Sequence, residues 1–104
     1  MIVELRRYTL HPGKLGKLLE LHEKEGLPIQ APILGNLIGY FSSDIGVLNQ
    51  VVHLWGYSSL EDRARRRQQL SAHPDWPAYL DKVLPLIQHQ ESTLMTPAPF
   101  SPIR

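Results

Sequence analysis

Cysteine is absent from this chain, so neither disulfide bonds nor thiolate chemistry are available to it. Long apolar runs are absent too, and no stretch approaches the roughly 18 residues that a membrane-spanning helix needs. The first residues, MIVELRRYTL, do not follow the basic, apolar and small-residue order of a secretory signal. From these absences we expect a soluble cytoplasmic protein with no membrane partner.

An excess of either charge is also lacking. Lysine and arginine total 11 against 10 acidic residues, a net charge of +1, which gives no basis for electrostatic nucleic-acid binding. No glycine-rich phosphate loop follows a strand, and no Ser-His-Asp signature is present. Four histidines are scattered without a partner at i,i+4 or a carboxylate triad, so the sequence predicts neither a metal site nor a cofactor; they are His11, His22, His73 and His89.

What is present is ordinary globular composition, 42% hydrophobic in 104 residues, which predicts one domain spanning residues 1–104. IVELRRYTL alternates with period two and predicts a strand, closed by the turn HPGK. KLGKLLELHEKEG places Leu15, Leu18, Leu19 and His22 at helical spacing, with Gly26 and Pro28 near the predicted helix end. The next segment, LPIQAPILGN over residues 27–36, is compatible with a loop or with a broken continuation of the helix.

The second half of the chain repeats the strand and helix signals. LIGYFSS and LNQVVHLWGY predict two strands that pair as an antiparallel hairpin. Capping signals at Ser58 and Ser59 predict a helix that starts near Leu60, supported by charge pairs from Glu61 and Asp62 to arginines four residues on. AHPDWP separates that helix from the next one. QHQESTLM predicts a final strand, and TPAPFSPIR an extended tail.

This order predicts an α+β fold of the ferredoxin-like type, split β-α-β-β-α-β, with a four-stranded antiparallel sheet and helices on one face. The first and third strands should be central neighbours. We expect the aliphatic set Val3, Leu5, Val52 and Leu54 to face the helices. The opposite face would then carry a polar and aromatic set, which a second subunit laid sheet to sheet would cover: Glu4, Arg6, Tyr8, Asn49, Val51, His53, Trp55 and Tyr57.

Three blocks resemble the NIPSNAP family: VELRRYTLHPGK, GVLNQVVHLWGYSSLEDRARRR and HPDWPAYL. The middle block is the most specific, with Asn49, His53, Trp55, Tyr57 and Arg63 among its matching residues. The resemblance implies the dimeric α-β barrel superfamily, whose members pair through ferredoxin-like sheets and include monooxygenases and a lactone isomerase. It implies a homodimer and a fold, but it does not imply a particular reaction.

His53 is the candidate catalytic residue, because an imidazole titrates near neutrality and here would face a covered cavity. The alternative is a buried histidine satisfied by hydrogen bonds at an interface. Glu4, Arg6 and Tyr8 are candidates for substrate binding, although Glu4 and Arg6 could equally form a structural ion pair. Trp55 and Tyr57 could stack on a planar ligand or could simply pack.

Two further candidates for substrate binding lie at the ends of the middle block. Asn49 could anchor a substrate carbonyl or could hold the preceding turn. The run RARRR at residues 63–67 is typical of a solvated helix face, with Arg63 as the one arginine expected to turn inward.

These candidates leave three hypotheses open. The first is a small-molecule enzyme of the oxygenase or isomerase type, with a pocket on the sheet face opposite the helices. The second is a non-catalytic homodimeric module that binds a small-molecule ligand or a peptide. The third is a structural protein whose polar sheet face is only an interface.

Overall fold

Four strands form one antiparallel sheet in the computed structural model, which describes residues 1–104. The elements in chain order are β1 (Ile2–Leu10), α1 (Leu15–Leu21), α2 (Leu27–Leu34), β2 (Asn36–Ser42), β3 (Gln50–Tyr57), α3 (Leu60–Ala72), α4 (Trp76–Val83) and β4 (Ile87–Met95). The strand order is β2-β3-β1-β4, so the predicted ferredoxin-like fold with β1 and β3 at its centre is confirmed. None of the helices has the length and apolar character to cross a membrane.

A π turn at His22–Gly26 joins α1 to α2, so the chain is helical without interruption from Leu15 to Leu34. The Leu27 N–H donates to the carbonyl of His22, five residues back. Of the two conformations left open for residues 27–36, the helical continuation forms over Leu27–Leu34, and the chain leaves the helix at Gly35 to begin β2 at Asn36. Pro28 does not end the helix, because it lies in the first turn of α2, where a missing N–H is tolerated.

Gly26 lies where the π turn presses against α4. A Cβ at this position would lie 2.4 Å from Cζ of Tyr79 and 2.7 Å from Nδ1 of His22. Only glycine permits this approach of the two helices. The approach places His22 next to Tyr79 in the interior.

The N-terminus of α3 is held by side chains, as predicted. Ser59 Oγ accepts from the Asp62 N–H at 3.0 Å, and Asp62 also binds Arg66 at 3.0 Å. The predicted pair between Glu61 and Arg65 does not form, because Arg65 turns to Asp62 instead. A single carboxylate at the start of α3 thus holds two arginines.

The two faces of the sheet are reversed relative to the prediction. Val51 packs with Leu18 of α1 and Tyr79 of α4, and Trp55 packs with Leu34 of α2 and Leu70 of α3. We call this side the helix-covered face; it carries Glu4, Arg6, Tyr8, Leu10, Val51, His53, Trp55 and Tyr57. The other side, the open face, carries Val3, Leu5, Val52 and Leu54, which were predicted to face the helices.

The reversal has a physical reason that the strands alone do not contain. Glu4 is fully buried on the helix-covered face, and its charge is offset by Arg6 of the same strand and by Arg63 of α3, which only the helix packing brings near. The larger rings of the same face supply more apolar area than the aliphatic set, so burying them gives the greater hydrophobic gain. The smaller aliphatic side chains remain on the open face, half-buried at Leu5, Val52 and Leu54.

Candidate functional site

Three adjacent strands bring a set of aromatic and polar side chains under the helices. In the sheet register Arg6 of β1 and Tyr40 of β2 both pair with His53 of β3. Tyr8 follows Arg6 on the same face of β1, and its ring meets the His53 ring edge-on, with 5.1 Å between the ring centroids. The helical segments α1 and α2, the π turn and α4 cover this set from above.

Glu4 is the centre of a buried ion cluster beside these rings. Its carboxylate accepts from Arg6 Nη1 at 2.9 Å, from Arg63 Nε at 3.1 Å and Nη2 at 2.9 Å, and from Ser92 Oγ. Burial alone would raise the pKa of Glu4, but the bonds from Arg63 and Ser92 and the arginine charges lower that pKa to about 2. Three of these donors bond to Oε2 and one to Oε1. Glu4 is fully buried by these partners and does not line the cavity between the sheet and the helices, so its carboxylate is structural.

A cavity of about 50 Å³ lies between the sheet and the helices. We call it the buried cavity. Its polar side chains come from all four strands, α2, the π turn and α4, and no charged residue lines it. The lining residues are Tyr8, Leu18, His22, Gln30, Tyr40, His53, Trp76, Tyr79, Leu80, Val83, Leu84, Ile87 and Gln90.

Buried polar atoms without a hydrogen-bond partner are concentrated at this cavity. The chain has four such side-chain atoms, and three belong to lining residues: His22 Nε2, Gln30 Oε1 and His53 Nε2. Leaving a buried polar atom unpaired costs about 1–3 kcal/mol, so native structures rarely leave several together. Unpaired polar atoms on several residues that line one cavity are the pattern that a bound molecule satisfies.

His53 is held as a neutral hydrogen-bond donor. The Trp55 indole N–H, which can only donate, lies 2.8 Å from His53 Nδ1, so Nδ1 is an acceptor. Burial, with a contribution from the Arg6 charge, lowers the pKa of His53 to about 3. The single ring proton therefore resides on Nε2, the atom left unpaired at the cavity. The predicted titration near neutrality is wrong for this environment.

His22 and Tyr40 extend the polar lining. Tyr40 is stacked between the two imidazoles, with its ring centroid 4.6 Å from that of His53 and 5.0 Å from that of His22. His22 Nδ1 lies 2.9 Å from the Tyr79 hydroxyl, and burial lowers the pKa of His22 to about 4. Burial likewise raises the pKa values of Tyr40 and Tyr79. These four groups are thus neutral at physiological pH.

The π turn aligns His22 with Gln30. In an unbroken α-helix, residues eight positions apart lie about 80° apart around the axis. The additional residue in the π turn reduces that angle to about 20°, so both side chains can line one cavity. Single-turn π segments of this kind are frequent at functional sites.

The family follows from comparison with known proteins. The NIPSNAP family model matches residues 3–102 of this chain. The chain belongs to the NIPSNAP family. Protein NipSnap homolog 2 from Homo sapiens is 36% identical over 99% of this chain. The chain spans 35% of the length of that relative and 41% of the NipSnap homolog from Dictyostelium discoideum.

Solved NIPSNAP structures share the whole fold. A NIPSNAP family protein from Agrobacterium tumefaciens is 50% identical with a TM-score of 0.96, and the match covers 99% of this chain and 98% of that one. An antibiotic biosynthesis monooxygenase is 13% identical with a TM-score of 0.66, over 95% of this chain and 100% of the other. That second likeness shows a shared fold alone. NIPSNAP membership thus fixes the architecture and leaves the reaction open.

The structure brings only some of the predicted site residues to the cavity. His53 and Tyr8 line it, Trp55 fixes the ring of His53, and Arg63 turns inward as expected but binds Glu4. Tyr57 is buried under the helices in the cluster that contains Leu34 and Leu70 and does not line the cavity. The predicted side chains therefore lie under the helices, whereas the open face carries a separate pocket of about 250 Å³ lined by Val3, Leu54 and the C-terminal tail.

Asn49 does not reach the site. It precedes β3 in the turn between β2 and β3, where it adopts a positive φ of 59°. Its backbone carbonyl accepts from the Leu10 N–H at 2.7 Å. Of the two roles left open for Asn49, the structure shows a turn residue, since asparagine tolerates this left-handed conformation better than most side chains.

Apart from Tyr8 and His53, the cavity residues were not predicted as site residues from the sequence; they include His22, Gln30, Tyr40 and Tyr79. A signal for His22 was present, because this polar residue falls on the apolar stripe of α1. The sequence does not indicate a buried position for Gln30, since its segment shows no helical periodicity. Tyr40 and Tyr79 are aromatic residues of a strand and a helix, and only the tertiary packing distinguishes them from ordinary core residues.

Proposed function

We propose that this chain is a small-molecule enzyme of the proton-transfer, isomerase type, and that the buried cavity is its active site. The observation that carries the proposal is the group of unpaired polar atoms on His22, Gln30 and His53 at one cavity. The family relationship supplies the fold, and the reaction is inferred from these side chains.

The lining indicates an uncharged ligand. No charged side chain borders the cavity, and burying an unpaired charge there would be very costly. His53 Nε2 offers a donor, Gln30 Oε1 offers an acceptor, and apolar side chains form the rest of the wall. A small molecule with one carbonyl and one hydroxyl group matches this set.

The size of the cavity limits the ligand further. About 50 Å³ is close to the space that two water molecules take up in the liquid, and is well below typical ligand pockets of ≈ 300–1,000 Å³. Leu84 and Gln90 line the cavity and are exposed, so the cavity approaches the surface where the α4 end meets β4. A ligand with one carbonyl and one hydroxyl group is larger than this volume, so its binding requires the exposed side chains of Leu84 and Gln90 to move outward.

The reaction uses the two imidazoles in different roles. His53 Nε2–H donates to the carbonyl oxygen, while His22 Nε2 accepts a proton from the neighbouring carbon, with Nδ1–H of His22 donating to Tyr79. The C–H electron pair becomes the carbon–carbon double bond of an enolate, whose negative charge lies on the oxygen. The hydroxyl proton then moves to the former carbonyl oxygen, and His22 returns its proton to the former carbonyl carbon, so the carbonyl and hydroxyl groups exchange positions with no oxidant or reductant. The enolate offsets the desolvation of the imidazolium that forms beside it.

The test is hydrogen–deuterium exchange of hydroxyacetone in D2O, followed by proton NMR. We expect wild-type protein to accelerate the exchange of deuterium for hydrogen at the hydroxymethyl carbon, which is bonded to the carbonyl. His53→Asn keeps an acceptor near Nδ1 for Trp55 but removes the Nε2 donor, and should slow exchange roughly 100-fold, as loss of one such donor does. His89→Asn, an exposed histidine, is the matched control and should exchange at the wild-type rate.

Two results would contradict the enzyme proposal. If His53→Asn exchanges hydroxyacetone as fast as His89→Asn, the imidazole has no part in the reaction. If wild-type protein binds hydroxyacetone without exchange above the buffer rate, the non-catalytic binding module is the better description.

A homodimer formed through the open face also remains our proposal. The molecule is 19 Å in its thinnest dimension, which is the thickness of one sheet and one helix layer, so no helix layer covers that face, although the C-terminal tail lines a pocket there with Val3 and Leu54. Phe41 is 61% exposed on it, beside the half-buried aliphatic side chains. Sheet-to-sheet pairing would bury this apolar surface, on the face opposite the one first expected. The cytoplasmic location remains a prediction from the sequence.

Sedimentation equilibrium tests the dimer. Leu54→Glu places a charge in the centre of the open face and should convert a dimer to a monomer. Ser71→Glu, on the exposed surface of α3, is the control and should leave the mass unchanged. A wild-type protein that sediments as a monomer at all concentrations would contradict the proposal.

A further inference from the structure

We infer that Tyr8 is a second catalytic donor to the same substrate oxygen as His53, and that Arg6 is its positioning residue. This inference rests on the proposed function, because it names the group that completes the oxygen-binding part of that site.

The Tyr8 hydroxyl has a proton to give. Its oxygen accepts from Arg6 Nε at 2.9 Å, and a phenolic hydroxyl carries one hydrogen of its own. No protein acceptor lies within hydrogen-bonding reach of that hydrogen, and Tyr8 lines the buried cavity. The hydrogen is therefore available to a bound molecule.

The neighbouring cation strengthens this donor. The Arg6 guanidinium lies 5.5 Å from the centroid of the Tyr8 ring and bonds directly to the hydroxyl oxygen. In a chain of hydrogen bonds each bond polarises the next, so an O–H whose oxygen already accepts from a cation donates more strongly. Arg6 itself does not line the cavity, so it acts on the ligand through Tyr8.

Arg6 is held in place from two directions. Its Nη1 bonds to Glu4, and the bidentate grip of Arg63 together with Ser92 fixes Glu4. Arg63 belongs to α3 and Ser92 to β4. A continuous series of contacts thus runs from α3 through Glu4 and Arg6 to Tyr8. This explains why so many donors surround one carboxylate that cannot reach the ligand.

Two donors are then arranged for one oxygen. The Tyr8 and His53 rings meet edge-on, with 5.1 Å between their centroids, and both residues line the buried cavity. We assign Tyr8 O–H and His53 Nε2–H to one carbonyl oxygen bound at that wall. As the C–H bond breaks, negative charge accumulates on that oxygen, and both donors bind it more strongly than they bind the ground-state carbonyl. Preorganised donors of this kind each contribute about 100-fold or more to the rate.

The experiment combines two measurements on hydroxyacetone labelled with ¹³C at the carbonyl. The first is the deuterium exchange rate. The second is the ¹³C chemical shift of the bound carbonyl, which moves downfield with each hydrogen bond that the oxygen accepts. Tyr8→Phe removes the donor with little change in volume. Tyr57→Phe removes a buried hydroxyl away from the cavity and is the matched control.

We expect Tyr8→Phe to lower the exchange rate roughly 100-fold with little change in KM, and to move the bound carbonyl resonance upfield. Tyr57→Phe should match wild type in the exchange rate and in the carbonyl resonance. Arg6→Lys keeps the charge but cannot bond to Glu4 and Tyr8 through one rigid fork, so it should move the resonance in the same direction by a smaller amount.

The outcomes separate this inference from the proposed function. A carbonyl shift that depends on Tyr8, with no exchange in any variant, would overturn the enzyme proposal and support the donor pair. Exchange in wild type with a Tyr8→Phe variant indistinguishable from Tyr57→Phe would overturn the role of Tyr8. An Arg6→Lys resonance identical to wild type would overturn the positioning role of Arg6, and no bound-state shift in wild type at any concentration would overturn the donor pair.

Discussion

Replacing Glu4 by alanine is expected to destabilise the fold by about 3–5 kcal/mol, because it leaves partly buried arginine charges without their partner. Glu4 is fully buried and accepts four hydrogen bonds from three side chains. Removing the carboxylate leaves the charge of Arg6 unpaired beside the cavity and removes the contact that holds Arg63 of α3 against the sheet. Urea unfolding followed by circular dichroism measures the change.

A second carboxylate on the same sheet supplies the control. Glu91 of β4 lies 4.0 Å from Arg7, and both side chains are about half exposed. An exposed pair of this kind contributes about 0–1 kcal/mol, so Glu91→Ala should be close to wild type. Equal urea midpoints for the two alanine variants would show that the Glu4 cluster does not stabilise the native state.

Acidification is expected to remove on the order of several kcal/mol of stability between pH 6.5 and pH 3, well before general acid unfolding. The pKa values of His22 and His53 are about 4 and about 3 in the folded state, against 6.5 when exposed. Below pH 6.5 the unfolded chain therefore binds protons that the folded chain does not, and stability falls as pH falls. Each unit of pKa difference corresponds to about 1.4 kcal/mol.

Glu4 adds to the loss of stability over a lower pH range. Its pKa is about 2 when folded against 4.5 when exposed, so its contribution is complete above pH 4.5 and is lost as pH falls towards 2. Urea midpoints measured from pH 7.5 to pH 3 should fall from about pH 6.5 downward. The His53→Asn variant should show a shallower fall between pH 6.5 and pH 4. A wild-type midpoint that stays flat over that interval would contradict the buried neutral imidazoles.

The strand and helix order was predictable because each element has a local signal: alternation in β1 and β3, a cap at Ser59, and the prolines before α4. Which face of the sheet packs against the helices was not predictable from the same pattern. Both faces of β1 and β3 carry apolar side chains, and the choice between them depends on Arg63, a residue far away in the sequence. A charged residue can be predicted to lie in the interior only when the residue that offsets its charge is known.

The candidate site was found at His53 and at Tyr8, because their residue types and their shared sheet face could be read from the strands. It was missed at His22 and Gln30, because their convergence depends on a π turn that no composition signal indicates. The depressed pKa of His53 was also out of reach, since it depends on complete burial under the helices. The local sequence pattern therefore indicated which strand residues carry reactive groups, and tertiary packing decided which of these residues line the cavity.

The most direct test is titration of protein labelled with ¹⁵N at its histidines with hydroxyacetone. The chain has five histidines, and only His22 and His53 line the buried cavity. We expect the Nε2 resonances of these two to shift in a saturable manner, while those of His11, His73 and His89 remain unchanged. Saturable shifts confined to His11, His73 or His89, or no saturable shift at any histidine, would contradict the assignment of the buried cavity as the ligand site.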